Sequence, residues 1–159
     1  MGHALFFHLT RSSAEQVVRL NVGRALALGW RVVIRGADRG ALERLDERLW
    51  LDPEDSFLPH GLAGGAHDAR QPVLLTEGPA IPNGARAMLA LDGAAVSCDE
   101  VAALDRVWIV FDGADPVALE TARGQWRALT AAGAEAEYWS EEQGKWQMKT
   151  ARRASSPAG

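Results

Sequence analysis

Three residues near the end of this chain carry its most distinctive chemistry. Arg123 is followed by Trp126 at i+3 and Arg127 at i+4, a spacing that projects all three from one side of a helix over 116–132. Ala118, Ala122, Leu129 and Ala132 take the opposite side and can face a sheet. A guanidinium grips a carboxylate through two parallel hydrogen bonds, a geometry that an ammonium cannot supply. An apolar slot beside it accepts an aromatic side chain. Together they suit a peptide that ends in a free carboxylate. The plainer reading is that Trp126 caps the edge of the core while both arginines are solvated.

A second stretch, Leu42 to Gly65, places large apolar groups where they are not expected. Leu42, Leu45 and Leu49 share one helical face, and Glu43, Arg44, Glu47 and Arg48 cover the other. Asp38 is placed to cap this helix. The helix ends in Trp50-Leu51, because Asp52-Pro53 removes an N–H and disfavours helical geometry before it. Trp50 then reads as a partly exposed recognition platform. Phe57, Leu58 and Pro59 follow in a loop, where they either tuck under that loop or meet a partner.

Catalytic and cofactor patterns do not assemble. The turn after the first strand, Leu9 to Ser13, holds no glycine, so neither a dinucleotide turn nor a phosphate loop is encoded there. Gly61-Leu62-Ala63-Gly64-Gly65 is glycine-rich but does not end in lysine, and reads as a flexible loop. His3 and His8 fall on opposite faces of a strand, and His60, His67 and Asp68 leave only a weak loop metal arrangement. No Gly-x-Ser-x-Gly elbow is present. Asp52 with Asp55, and Asp112 with Asp115, are turn and cap residues. No cofactor and no metal are expected.

Composition narrows the setting. The lone cysteine, Cys98, excludes an intramolecular disulfide and fits a reducing cytoplasm. No apolar run approaches the ~20 residues of a membrane span. The net charge of −4 argues against a protein that coats nucleic acid. Basic residues still gather locally, at Arg123 and Arg127 and at Lys145, Lys149, Arg152 and Arg153. Such a patch on an acidic protein suits a short acidic peptide better than a long duplex.

The elements that must position these residues alternate. Leu5–Leu9 predicts a buried strand, followed by a helix capped by Ser12 with Glu15 closing the box, and stopped at Gly29. Residues 30–34 predict a second strand, and 52–71 a long irregular connection. Short buried strands are predicted at 73–76 and 87–91, a helix from Asp99 to about Leu104, and a strong strand at 107–111. Asp115 caps the next helix with Pro116 in its first turn, and Gly133 ends it. A strand over 136–140 precedes a turn into a short edge strand or tail. Continuous apolar strands between helices predict a single-domain three-layer α/β fold with a mostly parallel sheet. It is Rossmann-like but lacks a nucleotide-binding glycine loop. Residues 1–150 form the domain, and 151–159 a disordered tail.

The run LDERLWLDPEDSFLPHGLAG, residues 45–64, resembles the chi subunits of bacterial DNA polymerase III holoenzyme. In that family a helix ends in Leu-Trp, an acidic Pro-containing segment follows, and then a Ser-Phe-x-Pro-His run. The segments ALFFHLT, GWRVVI and RGQW extend the likeness over most of the chain. The resemblance implies a non-catalytic replication subunit that binds the acidic C-terminal tail of single-stranded DNA-binding protein, which ends in Pro-Phe. Through it, the subunit meets DNA indirectly. By resemblance Arg123 matches the carboxylate-binding arginine, Trp126 stands at the aromatic pocket, Arg127 keeps the following basic residue, and Trp50 matches the Leu-Trp tryptophan. Trp50 and Trp126, on neighbouring helices, would then share one socket with Arg123. The family's lysine one turn earlier is replaced here by Val117-Ala118-Leu119-Glu120. Phe57, Leu58 and Pro59 match the segment through which some chi subunits contact the psi subunit of the clamp loader. The alternatives are a small α/β nucleotide-binding enzyme or remnant, and direct nucleic-acid contact through Arg123, Arg127 and the C-terminal basic residues.

Overall fold

Strands that are apolar at every position need cover on both faces, and helices supply it here. The computed structural model describes residues 2–51, 59–141 and 145–152. In chain order the elements are β1 (His3–Leu9), α1 (Ala14–Ala27), β2 (Val32–Arg35), α2 (Arg39–Leu51), β3 (Gly61–Leu62), β4 (Val73–Thr76) and β5 (Ala87–Ala90). They continue with α3 (Cys98–Ala103), β6 (Arg106–Asp112), α4 (Pro116–Ala131), β7 (Glu135–Ser140) and β8 (Gln147–Arg152). The sheet order is β3-β4-β2-β5-β6-β1-β7-β8. Every pairing is parallel except β7 with β8, which is antiparallel. This is the expected three-layer α/β architecture.

Successive residues of each strand serve opposite faces. On one face Val18, Val22, Leu42 and Leu49 of α1 and α2 meet Ile34, Leu75, Leu89 and Val110. On the other, Val101 of α3 and Ala122 and Leu129 of α4 meet Phe6, Met88, Ile109 and Phe111. Fully burying each of the larger aliphatic or aromatic side chains contributes about 1.5–3 kcal/mol. Gly29 (φ 80) and Gly133 (φ 94) end α1 and α4 in the left-handed region, where a side chain is strained.

Several boundaries differ from expectation for identifiable reasons. The cap of α1 is Ser13, reciprocated by Gln16, rather than Ser12 with Glu15. Ser12 is shifted out of that role because its amide and hydroxyl both bind Glu141. The last strand residue of β2, Arg35, is only 4% exposed. Its guanidinium is fixed by both oxygens of Glu100 and by the carbonyls of Pro79 and Ala95. Helix α3 begins at Cys98 under a Ser97 cap closed by Glu100. The connection over 52–71 is not wholly irregular, since it holds β3 and a 3-10 turn at Asp68–Arg70. Residues 52–58 lie outside the described residues. Strand β8 runs to Arg152, past the expected boundary at 150, and 153–159 lie outside the described residues.

Candidate functional site

Helix α4 is set by Asp115, whose side chain accepts from the Val117 amide, with Pro116 at its start. Ala122 and Leu129 are buried, which turns Arg123 and Arg127 outward. Between them Trp126 is half-buried, and its ring meets Phe6 edge-on at 5.3 Å and Tyr138 at 6.1 Å. Tyr138 in turn shares a 2.7 Å hydrogen bond with Nδ1 of His8. The indole therefore closes the core edge and still shows a flank beside two exposed guanidiniums. Glu120, earlier on the helix, is shared by the two arginines, with Arg127 Nη2 at 3.3 Å and Arg123 Nη1 at 4.0 Å. Both guanidiniums are mostly solvated, so this acid orients them weakly. Arg123, Trp126, Arg127 and Tyr138 thus form one face. Tyr138 escaped the sequence reading because a tyrosine in a strand carries no signal of which helix it will meet.

Trp50 does not join that face. It ends α2, which packs over β3 and β4, whereas α4 packs over β6 and β7. The two helices cover opposite faces of the sheet, in the layers built around Leu42 and Leu49 and around Ala122 and Leu129. The single socket expected from Trp50, Arg123 and Trp126 is therefore not formed. The cause is topological: α2 crosses between β2 and β3 on one face, and α4 crosses between β6 and β7 on the other. Trp50 is instead 51% exposed and stacks on His60 with ring centres 4.3 Å apart. His60 is buried, with Nε2 3.2 Å from the carbonyl and 3.2 Å from a carboxylate oxygen of Asp46. Leu51 beside it is 76% exposed, and Pro59 is half-buried. Phe57 and Leu58 lie outside the described residues.

The places where a Rossmann-like fold would hold phosphate are filled from within. The amides of Thr10, Arg11 and Ser12 donate to one Glu141 oxygen at 2.9, 2.5 and 2.5 Å, and Ser12 Oγ donates to the other at 2.7 Å. Burial alone would raise this carboxyl, but the Ser12 hydroxyl and the three amides outweigh it and hold it below its ordinary value. Asp68 likewise takes the amides of Gly64 and Gly65. A cleft of about 600 Å³ opens at the carboxyl ends of β1, β5 and β6, where doubly wound sheets bind ligands, yet Asp92, Asp112 and Asp115 line it. No lysine or arginine lines the cleft, so a phosphate there would meet carboxylates without a compensating cation. Among the described residues no three His, Cys, Asp or Glu side chains are grouped to hold a metal, and no helix is long and apolar enough to cross a membrane.

Fold and site together define a doubly wound α/β domain with self-filled phosphate positions and partner-sized chemistry on its helices. Residues 1–137 match the family described as DNA polymerase III chi subunit, HolC, and the chain belongs to that family. It is also 40% identical over 62 residues to DNA polymerase III subunit chi of Escherichia coli (strain K12). That alignment covers 39% of this chain and 42% of the relative. Tyr138 and β8 lie beyond the matched residues.

Proposed function

We propose that this chain is a non-catalytic accessory subunit of cytoplasmic DNA replication. It ties the polymerase III clamp loader to single-stranded DNA-binding protein by holding that protein's acidic C-terminal tail on α4. The observation that carries the reading is the pairing of a half-buried indole with two solvated guanidiniums on one helix face. Arg123 takes the terminal carboxylate, and the last aromatic ring rests against the flank of Trp126 and Tyr138. Arg127 attracts the acidic residues before it. An anisotropy titration with an acidic peptide ending in Pro-Phe tests this. Affinity should fall on Arg123→Ala and on amidating the peptide terminus; if both leave it unchanged, the reading is wrong.

A second surface for the psi subunit sits in the other layer. Trp50 and Leu51 expose apolar area at the end of α2, where Trp50 stacks on His60, and Phe57, Leu58 and Pro59 immediately precede His60 in sequence. Separation by the sheet lets both partners bind at once. Trp50→Ala should weaken capture of psi and leave the peptide titration unmoved.

A further inference from the structure

The amino ends of three adjacent central strands carry a row of arginines that neither partner surface uses. Arg31 precedes β2, Arg86 precedes β5 and Arg106 opens β6. Backbone bonds hold them in line: the Arg86 amide donates to the Arg31 carbonyl at 3.0 Å, and the Asp105 amide donates to the Arg86 carbonyl at 2.8 Å. Adjacent strands lie about 4.8 Å apart, so the row spans roughly 10 Å.

Each of the three side chains is fixed on its inner side. Arg31 Nη1 donates to the carbonyls of Ala69 (3.0 Å) and Asn83 (3.1 Å). Asn83 is itself buried and anchored to Val32 and Gln71. Arg86 and Arg106 both lie over the indole of Trp30, their guanidinium carbons 5.4 and 5.9 Å from its centre. Trp30 is half-buried against the α1–α2 core, so the ring is a fixed shelf. An arginine held on an aromatic loses little further freedom when it binds, and its planar fork fits phosphate oxygens. Asp105, 2.6 Å from Arg86, is the carboxylate paired with the row among the described residues. Two guanidiniums therefore remain uncompensated on a protein whose net charge is negative.

We propose that this row binds the phosphates of single-stranded DNA directly. A line of preset guanidiniums suits a chain of phosphates, and the choice of a single strand as the occupant rests on the replication function proposed above. The contact is non-specific, because no base-reading group stands in the row. It lies at the amino ends of central strands, uses no residue of the α4 face, and does not depend on tail binding. The net negative charge predicts a weak, salt-sensitive interaction that adds to the protein-mediated one.

The test is a titration of labelled oligo(dT) with the full chain, run across a salt series. Wild type should bind at low salt, and the Arg31→Ala, Arg106→Ala pair should flatten the log–log salt slope by about 1.4, two contacts at roughly 0.7 each. Arg44→Ala together with Arg24→Ala removes the same charge elsewhere and should leave the slope unchanged. In a parallel amide spectrum of wild-type chain, which needs no variant to fold, oligo(dT) should move Arg31, Val32, Arg86 and Val107. Absence of binding at low salt, equal losses in the two pairs, or shifts confined to α4 would each overturn the proposal.

Discussion

Two arginine–glutamate groupings in this molecule use the same chemistry to opposite ends. At the end of β2, Arg35 meets both oxygens of Glu100 at 2.9 and 2.7 Å and adds the carbonyls of Ala95 and Pro79. The Arg35 side chain is 5% exposed. Its hydrogen bonds hold the Glu100 carboxyl below its ordinary value against the opposing effect of burial. On α4, Glu120 is shared by Arg123 and Arg127 at 4.0 and 3.3 Å, and their side chains are 60% and 69% exposed. A buried charge must be satisfied completely, and Arg35 nearly is; such a group is committed to the fold. An exposed one is held loosely by solvent-screened attraction and remains available to a partner.

That contrast can be broken most sharply at Arg35. Arg35→Met should cost about 3–5 kcal/mol in urea unfolding by stranding Glu100, whereas Arg123→Ala should cost under about 0.5. Equal costs would erase the distinction. Next comes Glu141→Ala, which strips four hydrogen-bond donors of their acceptor and should destabilise by about 1–3 kcal/mol. The acid limb of stability follows from Glu100 and Glu141 together. Both carboxyls are lowered on folding, so their contribution is present above the unfolded value of 4.5 and lost as pH falls through the folded values. Glu141→Gln should flatten that limb in a pH series of melting curves.

Binding effects are smaller. Trp126→Ala should weaken the Pro-Phe peptide by about 2 kcal/mol, roughly 30-fold, in the anisotropy titration. Smallest of all, Glu120→Gln should leave stability within about 0.5 kcal/mol. It should also tighten the acidic peptide a few-fold at low salt, with the gain vanishing as salt rises.

How much of this was legible in the residues follows from range. The strands announced themselves as apolar runs, and Asp115-Pro116 and Gly133 bounded α4 by local rules of capping. The spacing of Arg123, Trp126 and Arg127 put them on one side of α4 from helical geometry alone. What failed needed knowledge of the third dimension. Ser12 looked like the cap until Glu141, 129 positions away, claimed it. Trp50 and Trp126 looked like neighbours because both sit on helices, but which face a crossover helix covers is decided by strand order. Tyr138, Trp30 and the arginine row are invisible for the same reason, since their partners come from separate strands.

Strand β8 stands last in the sheet, all six of its residues are exposed, and it contains Lys149 and Arg152 but no acid. A sheet margin of this kind invites the same margin of another molecule to continue it. Here a visiting copy would bring its own cations against those already present. Like charge set against like charge makes such a continuation costly.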